Sequence, residues 1–478
     1  MQLWKGGLPK MWLLPISGLY SPPGKLETTL YDGPLSVSGF ARATSPPLCG
    51  GEELGALMTT FTPSTSTEVL STVQWAAAEE APLEILGHGS KRGIGRPLQT
   101  EHTLDLSKLT GVTLYEPAEL VLSAKAGTPL AEIEQLLTEN GQQFAFEPMD
   151  YGPLLGGEPG QGGKNGTIGG VLAANLSGPR RLKAGAARDH ILGVGAVSGR
   201  GEAFKSGGRV VKNVTGYDLS KLMANSWGTL AVLTDVTFKV LPAAETEVTL
   251  AIRGLLDDAA VAAMALALGS SAEVSSAAHL PERIAARVAG GRLGSDAATL
   301  LRVEGFGPSV VYRTEALRQL LGKAGPLEDI AGEASRTIWR DIRDCVPFAS
   351  TQGAVWRVSM APAEAHHMVM TLRMQAAVDA FYDWQGGLVW LSMRENDPEA
   401  ELLRGLIRKH GGGHATLVRA AAAHRAAVPV FQPQPPHLAA LSARLKAEFD
   451  PKAILNPGRM ALPSVSATVS PATEGGVS

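Results

Sequence analysis

The sequence predicts an α+β protein in which two α/β lobes form one domain and a further α+β domain follows. Across residues 58–242, helix-period and strand-period segments alternate around two separate glycine-rich stretches, as in two successive α/β units. Between residues 243 and 428, β-rich pieces mix with alanine-rich helices, which is an α+β pattern. A length of 478 residues also favours more than one hydrophobic core.

The composition is that of an ordinary globular protein, with 44% apolar and 19% charged residues. The net charge of −3 and the absence of a basic block argue against a nucleic-acid partner. No apolar run reaches the roughly 18 residues of a membrane span, so we expect no transmembrane segment. Two cysteines, Cys49 and Cys345, cannot by themselves build a disulfide framework, a zinc site or an iron–sulfur cluster, and a reducing compartment fits them.

Both ends of the chain are expected to lie outside the fold. Residues 1–57 are rich in Pro, Gly and Ser without periodicity, and residues 463–478 are low in complexity. Pro15 and Gly18 interrupt the short apolar stretch that imitates a signal peptide. Both Met1 and Met58 remain candidates for the true start.

The first α/β unit begins with a helix over Thr67–Glu80, which Pro82 ends. A short strand, Leu83–Leu86, runs directly into the glycine loop Gly87–Gly93. A strand over Leu120–Ala124 and a helix over Pro129–Asn140 complete the unit, with Thr128 as the expected N-cap of that helix.

The second unit opens with the glycine-rich stretch Gly152–Gly170 and continues with a strand over Ile191–Val197. Asp218 is expected to cap a short helix, and the strand Leu230–Val240 alternates and ends before Pro242. After the central domain, residues 429–462 form a stiff proline-rich connector, a helix over Leu438–Phe449 and a turn at Asn456-Pro457-Gly458.

The loop after the first strand suits an anion, because backbone N–H groups without Cβ atoms can converge on one phosphate. Ser90 and Lys91 add a donor and a charge. A Rossmann loop is excluded, because the third glycine comes one residue late and Gly95 and Pro97 prevent a helix. In the second glycine-rich stretch, Gly163-Lys164 resembles the end of a Walker A loop. That loop is excluded because Asn165 follows where Ser or Thr is needed. Taken alone, the loop fits a plain tight turn equally well.

Five motifs in one order resemble the FAD-binding domain that vanillyl-alcohol oxidase and p-cresol methylhydroxylase share, the PCMH-type domain. They are Gly87–Gly93, Thr167–Asp189, Lys212–Leu219, Trp227–Leu230 and Phe449–Gly458. Two sequence segments, Leu-Ser-Gly-Pro-Arg-Arg (176–181) and Gly-Gly-His-Ala-Thr-Leu-Val-Arg (412–419), are among those that resemble segments of the E subunits of bacterial glycolate oxidase. The resemblance implies a PCMH-type domain over 58–242, with lobes of about 58–145 and 146–242, and a substrate cap over 243–428. Residues 429–462 would return to the FAD domain.

The resemblance also implies which residues bind FAD. It assigns this role to Gly87, His88, Gly89, Ser90, Lys91, Gly93, Pro148, Thr167, Ile168, Gly169, Gly170, Asn175, Gly178, Arg188 and Asn456. Some relatives attach FAD through a His in the first loop, but Ser90 takes that position here. We therefore expect non-covalent FAD, with His88 as a loop residue rather than a linker.

Several of these residues have a second interpretation. Arg188 and Asp189 could form a structural ion pair instead of contacting flavin, and Asn456 could serve the turn, the flavin or both. Arg180 and Arg181 could meet a phosphate or a partner.

The reaction implied by the resemblance is hydride transfer from the α-carbon of glycolate, a small 2-hydroxy acid, to FAD, giving glyoxylate. His414 is the candidate base and Arg419 the candidate carboxylate ligand, although a packed His and an ordinary ion-paired Arg are equally open. The stretch Gly411–Leu417 lacks the second His and the acidic residue that metal-binding relatives carry. We therefore expect no metal.

The implied assembly joins this chain to a larger FAD-containing glycolate oxidase subunit and an iron–sulfur subunit. It is expected in the cytoplasm, free or held at the inner membrane by those partners. Two alternatives stay open: a stand-alone FAD-dependent oxidase or dehydrogenase of another hydroxy acid or alcohol, and a non-catalytic assembly subunit with a structural flavin.

Overall fold

The computed structural model describes residues 59–156, 166–208 and 217–461. The predictions of a disordered N-terminal extension, an alternative start at Met58 and a disordered tail concern residues outside these ranges. The described residues contain helices and strands in mixed order, so the prediction of an α+β fold is confirmed. No helix among them is both long and apolar enough to cross a bilayer.

The strands of the described chain fall into three larger sheets and one two-stranded ribbon. In chain order they are β1 (Thr59–Phe61), β2 (Leu83–Leu86), β3 (His102–Asp105), β4 (Val112–Glu116), β5 (Val121–Lys125), β6 (Gln142–Gln143), β7 (Ile191–Ser198), β8 (Ala203–Gly207), β9 (Ala231–Lys239), β10 (Leu241–Pro242), β11 (Thr246–Arg253), β12 (Ser276–Leu280), β13 (Ala298–Gly305), β14 (Leu327–Ala331), β15 (Val355–Met360), β16 (Val378–Asp383), β17 (Leu388–Met393) and β18 (Gly413–Arg419).

The helices vary from single turns to fifteen residues. In chain order they are α1 (Ser66–Ala78), α2 (Leu130–Glu139), α3 (Gly152–Leu155), α4 (Ile168–Ala173), α5 (Arg181–Ala184), α6 (Ala187–His190), α7 (Leu219–Met223), α8 (Asp257–Leu268), α9 (Glu282–Ala285), α10 (Gly307–Leu321), α11 (Gly332–Arg343), α12 (Pro362–Arg373), α13 (Ala400–Lys409), α14 (Ala422–Ala427) and α15 (Pro436–Phe449).

The first lobe is a parallel sheet in the order β1-β3-β2 with α1 packed on it. The α1 helix starts where it does because the Thr65 hydroxyl accepts the Glu68 N–H, which satisfies one of the free donors of the first turn. Val69, Val73 and Ala76 recur at helical spacing and are fully buried. The predicted helix and the strand Leu83–Leu86 are both confirmed.

The second lobe is an antiparallel sheet in the order β4-β5-β9-β7-β8. Its central strands β7 and β9 match the predicted strands, and the Asp218 carboxylate caps α7 by accepting the Lys221 N–H. One detail of the prediction is wrong. Thr128 does not cap α2, because its hydroxyl donates to the Lys125 carbonyl instead, and Pro129 stands at the N-cap.

The eight-stranded antiparallel sheet runs β14-β11-β13-β12-β16-β17-β15-β18, and we call it the cap sheet. Its two faces alternate, as strand geometry requires. In β17, Leu388 and Trp390 join the core shared with the second lobe, whereas Val389 and Leu391 pack under α12 and α13. The cap sheet therefore presents one apolar face to its own helices and the other to the second lobe. We place the domain boundary at about residue 243, between β10 and β11.

The C-terminal segment returns to the first lobe after the cap. Leu455 forms a parallel bridge with Leu83, and the Leu83 N–H donates to the Ile454 carbonyl at 2.7 Å. Ile454 and Leu455 are fully buried in the core of this lobe. The last described residues thus act as an extra edge of the first sheet.

Four buried charges join the second lobe to the cap sheet, and we call them the interdomain ion cluster: Glu147, Arg180, Arg302 and Glu304. Arg302 on β13 donates to both Glu147 carboxylate oxygens, at 2.8 and 2.7 Å. Arg180 pairs with Glu304. Burial alone would raise the pKa of Glu147, but the guanidinium groups of Arg302 and Arg180 outweigh it and hold that pKa below its usual value.

We expect Arg302→Met to lower the free energy of unfolding by about 3–5 kcal/mol, because it removes the bidentate partner of Glu147 and leaves the carboxylate only the contacts of Arg180. The double variant Arg302→Met/Glu147→Gln should recover part of this loss. Urea unfolding followed by circular dichroism measures both. Arg340→Met is the matched control, since Arg340 pairs with Glu333 at the surface. An Arg302 variant as stable as the Arg340 variant would contradict the importance of the cluster.

Candidate functional site

A cleft opens where strand β2 ends. Segments from both lobes and from the C-terminal turn line it, although they are far apart in the sequence. Its lining residues are Ile85, Leu86, Gly87, His88, Gly89, Ser90, Lys91, Arg92, Leu106, Ala126, Thr167, Gly169, Gly170, Ala173, Ala174, Ser226, Trp227, Gly228, Ala231, Leu233, Asn456 and Arg459.

The two glycine-rich turns meet across this cleft because neither carries a side chain at the point of contact. A Cβ on Gly87 would lie 2.4 Å from the Thr167 hydroxyl oxygen, and a Cβ on Gly166 would lie 2.7 Å from Lys91 Nζ. Both distances are far below van der Waals contact, so a side chain at Gly87 would displace Thr167, and one at Gly166 would displace the end of the Lys91 side chain. The turns of the first and second lobes therefore bound one cleft, as the anion-loop interpretation requires.

Lys91 supplies a half-buried positive charge to the cleft. Burial lowers the pKa of Lys91 to about 8, an effect that Asp150 partly offsets and Arg459 reinforces. Its ammonium group donates to Ser90 Oγ at 3.1 Å, the one hydrogen bond it makes within the described chain. A half-buried cation with only a hydroxyl partner is poorly compensated, and an anion in the cleft would stabilise its charged form.

Asn456 fixes one wall of the cleft through both ends of its side-chain amide. Its Oδ1 accepts the Ile85 N–H at 2.8 Å, and its Nδ2 donates to the Trp227 carbonyl at 2.9 Å. The residue is 2% exposed and has a φ of 43°, in the left-handed region where Asn is tolerated. Asn456 therefore serves the turn and lines the cleft at once.

Arg459 and Trp227 are parts of the cleft that the sequence reasoning did not assign. Arg459 donates to the Lys91 carbonyl at 2.8 Å, and its guanidinium lies 5.8 Å from the centre of the Trp227 ring. Burial lowers the pKa of Arg459 to about 10, although Glu84 raises it in part. The sequence signal that could have identified Arg459 is its position directly after the Asn456-Pro457-Gly458 turn.

The cleft gathers nine of the predicted FAD-binding residues: Gly87, His88, Gly89, Ser90, Lys91, Thr167, Gly169, Gly170 and Asn456. The structure describes the side chain of His88 as half-buried. Whether these residues bind FAD stays a prediction, as does the non-covalent attachment.

Six predicted residues lie outside the lining of the cleft. Ile168 is buried in the core, Pro148 is buried, and Gly93 packs beside Leu155. The other three are Asn175, Gly178 and Arg188. A Cβ on Gly178 would lie 2.5 Å from the Glu147 carbonyl, so Gly178 permits close packing of the chain there.

Alternative roles were also left open for Arg188 and Asp189 and for Arg180 and Arg181. Arg188 is exposed, and its backbone N–H donates to the Asn175 side chain, while Asp189 pairs loosely with Arg181 at 3.8 Å. An Arg188–Asp189 ion pair is therefore not what the structure shows. Arg180 meets neither a phosphate site nor a partner surface, because it belongs to the interdomain ion cluster.

The candidate catalytic residues lie away from the cleft. His414 is exposed on β18, the edge strand of the cap sheet. Arg419 uses its five N–H donors within the protein, on the carbonyls of Leu154, Phe348 and Gly353 and on the Thr351 hydroxyl. No donor is left for a substrate carboxylate in this arrangement. Both roles stay predictions, and the geometry does not favour them.

The expectation of no metal also stays a prediction. In the described parts of the chain, no three His, Cys, Asp or Glu side chains converge as a metal site would need. Next to the stretch Gly411–Leu417, His410 Nδ1 lies 3.7 Å from a Glu364 carboxylate oxygen, and its Nε2 lies 3.4 Å from the Thr371 hydroxyl oxygen.

We expect Asn456→Ala to loosen the wall of the cleft, because it leaves the Ile85 N–H and the Trp227 carbonyl without partners at a cost of about 1–3 kcal/mol. Amide hydrogen exchange should show the Ile85 N–H losing protection. Asn140→Ala is the control, since Asn140 bonds only the Leu136 carbonyl at the surface. Unchanged protection at Ile85 would show that the amide of Asn456 does not hold the wall.

Comparison with known proteins identifies the same region. The family described as FAD binding domain matches residues 59–207. Glycolate oxidase subunit GlcE of Escherichia coli (strain K12) is 35% identical over 83% of this chain and 97% of its own length. Glycolate oxidase subunit GlcD of Bacillus subtilis (strain 168) is 42% identical over 84 residues, 18% of each chain.

A solved structure of p-cresol methylhydroxylase with substrate bound shares the fold. The TM-score is 0.63 at 15% identity, over 84% of this chain and 88% of that one. The predicted PCMH-type fold is thereby confirmed. The chain belongs to the family of glycolate oxidase E subunits and carries the FAD binding domain of that family.

Proposed function

We propose that this chain is the FAD-binding subunit of a glycolate oxidase complex, which oxidises glycolate to glyoxylate and passes the electrons to partner subunits. The observation that carries the proposal is the closure of two glycine turns from separate lobes around one cleft that contains a half-buried lysine. The names of the GlcE and GlcD relatives support the complex and the substrate.

The cleft fits the cofactor of this family in shape and charge. Gly87 and Gly166 leave room for backbone to approach a diphosphate, and Lys91 would be its cation. The Trp227 turn and Asn456 would form the opposite wall. When bound, FAD supplies the hydride acceptor for oxidation of the α-carbon of a 2-hydroxy acid. The protein would hold it without a covalent bond, because Ser90 offers no imidazole for attachment.

The assembly is also part of the proposal. Electrons leaving this subunit would pass to a larger FAD-containing subunit and to an iron–sulfur subunit, since two cysteines cannot ligate a cluster here. The complex would lie in the cytoplasm or at the inner membrane through those partners.

A second candidate function is an assembly subunit whose flavin is structural. The positions of His414 and Arg419 favour it, because neither reaches the cleft. Normal glycolate oxidation by a complex whose E subunit lacks FAD would support this alternative.

We expect the purified chain to be yellow and to release all its flavin on acid precipitation. Gly87→Ala should abolish FAD binding, because the added methyl collides with Thr167. Gly405→Ala on α13 is the matched control and should bind FAD normally, since its Cβ would meet only Arg408 at 3.9 Å. Complexes assembled with each variant are then mixed with glycolate without oxygen, and flavin bleaching is followed. A wild-type chain that is colourless and takes up no FAD would overturn the proposal.

We also expect FAD affinity to depend on pH through Lys91. A bound diphosphate raises the pKa of Lys91 from about 8, so above that pH binding takes up a proton and affinity falls as pH rises. The Kd should increase about tenfold between about pH 7 and about pH 9. Titration of the flavin-free protein with FAD, followed by quenching of flavin fluorescence, measures it.

Two variants isolate this effect. Lys91→Met should bind FAD more weakly and with a flatter pH profile. Lys125→Met should keep the wild-type profile, because Lys125 pairs with Asp235 outside the cleft. Equal slopes for wild type and Lys91→Met would show that another group causes the pH dependence.

A further inference from the structure

Two guanidinium groups flank one tryptophan ring at the junction of the second lobe and the cap. Arg357 on β15 lies 4.9 Å from the centre of the Trp384 ring, and Arg181 on α5 lies 5.7 Å from it. Trp384 is 7% exposed and donates to the Gly178 carbonyl at 3.0 Å. The hydrogen bond to Gly178 therefore holds the ring against the second lobe, and both guanidinium groups lie close to the ring.

Neither guanidinium has a hydrogen-bond acceptor in the part of the chain that the structure describes. Arg357 is half-buried, and none of its nitrogens is among the sealed, unpaired polar atoms, so its donors border solvent-filled space. The nearest carboxylate of Arg181 is Asp189, at 3.8 Å. By contrast, Arg302 donates to both oxygens of Glu147. Unused donors on a half-buried arginine indicate a place for an external acceptor.

The stacking alone does not explain these unused donors. Arg404 stacks on Trp356 at the same 4.9 Å, yet it donates to the Pro429 carbonyl at 2.6 Å. Arg404 thus uses one terminal nitrogen on backbone carbonyls, although its buried Nε has no partner among the described residues. Arg302 stacks on Trp339 at 4.8 Å and donates to Glu147 and Ser276, whereas no nitrogen of Arg357 has an acceptor among the described residues.

Tyr151 adds a neutral donor to the same place. Its ring is buried, and its hydroxyl has no hydrogen bond among the described residues. Burial raises the pKa of Tyr151, and Arg357 opposes this effect from nearby. The hydroxyl therefore stays protonated at neutral pH and can donate.

The surrounding acid compensates the two cations incompletely. The Asp383 carboxylate accepts the backbone N–H of Trp384 at 2.7 Å. Burial raises the pKa of Asp383 to about 7. Close to neutral pH this carboxyl is charged only part of the time, so the junction keeps a positive potential.

This junction adjoins the FAD cleft. Tyr151 immediately precedes the short helix α3, and a Cβ on Gly93 of the first loop would lie 3.8 Å from Leu155 at the end of that helix. Asp150, the preceding residue, interacts electrostatically with Lys91 in the cleft. The segment Asp150–Leu155 therefore connects the junction to the first glycine loop.

We infer that Arg357, Arg181 and Tyr151 form a carboxylate-binding site, which holds the acid group of a small 2-hydroxy acid substrate. The planar fork of Arg357 matches the two oxygens of a carboxylate, and Trp384 provides an apolar wall. The inference rests on the proposed function for the identity of the substrate. It replaces Arg419, whose donors are all used, as the residue that meets the acid group.

Equilibrium binding of oxalate, a carboxylate that cannot undergo this oxidation, tests the site without turnover. The FAD-loaded chain is titrated with oxalate, and the change in its flavin spectrum and the heat of binding are recorded. We expect Arg357→Met to weaken oxalate binding roughly 10- to 100-fold. Arg357→Lys should fall between it and wild type, because charge remains and the fork is lost. Tyr151→Phe should weaken binding a few-fold.

Arg404→Met is the matched control, since it removes an equivalent stack outside the site, and it should bind oxalate within about twofold of wild type. Glycolamide, the uncharged analogue of glycolate, should bind wild type and Arg357→Met alike.

The outcomes separate the two proposals. If Arg357→Met, Arg357→Lys and Tyr151→Phe retain FAD and bind oxalate as wild type does, the carboxylate site is wrong and the proposed function stands. If wild type binds oxalate through Arg357 but glycolate never reduces its flavin, the site stands and the proposed oxidation fails. Should Arg357→Met not fold, the other two variants still decide the question.

Discussion

The bidentate contact between Arg302 and Glu147 is the interaction on which the geometry of the site depends. Glu147 has a φ of 47°, a conformation that a non-glycine residue adopts only when its surroundings impose it. Arg302 from the cap and the backbone N–H of Arg180 both bind its carboxylate. The segment that follows is also tied to the cap, because the Asp150 N–H donates to the Asp344 carboxylate at 2.8 Å.

Two different kinds of contact hold the three parts of the protein together. Between the lobes the chain uses small residues, because a Cβ on Gly87 of the first lobe would lie 2.4 Å from the Thr167 hydroxyl oxygen of the second. Between the second lobe and the cap it uses buried charges, whose geometry is directional. Small residues let two segments of backbone approach closely without fixing the angle between them. Paired charges fix the angle between the domains that they join, because their hydrogen bonds are directional. The cofactor cleft lies at the first kind of contact and the proposed substrate site at the second.

Local patterns predicted the parts of the fold that depend on neighbours in sequence. The helix at Ser66–Ala78, the strand at Leu83–Leu86 and the Asp218 cap follow from periodicity and capping chemistry. The glycine loops of the cleft could also be found, because they carry a recognisable order. The cap sheet was predicted only as an α+β region, since the order of its eight strands depends on pairings between distant segments.

The site residues that sequence reasoning missed have partners far away in the chain. Arg459 meets the Lys91 carbonyl across 368 positions, and Arg357 shares the Trp384 ring with Arg181 of another domain. Arg459 follows the Asn456-Pro457-Gly458 turn, but nothing near Arg357 in sequence distinguishes it from a surface arginine. The ion pair of Arg180 was not predicted for the same reason, since its partner Glu304 lies 124 residues downstream.

The return of the C-terminal segment to strand β2 has a consequence for biosynthesis. Ile85 and Asn456 are 371 residues apart, so one wall of the nucleotide cradle does not exist until the ribosome has made almost the whole chain. At about 5–20 residues per second, the first glycine loop waits tens of seconds for that wall. Loading of the cofactor is therefore a late event in the life of the nascent polypeptide. A message cut short anywhere within the cap yields a product with the loops but without a complete place for the nucleotide.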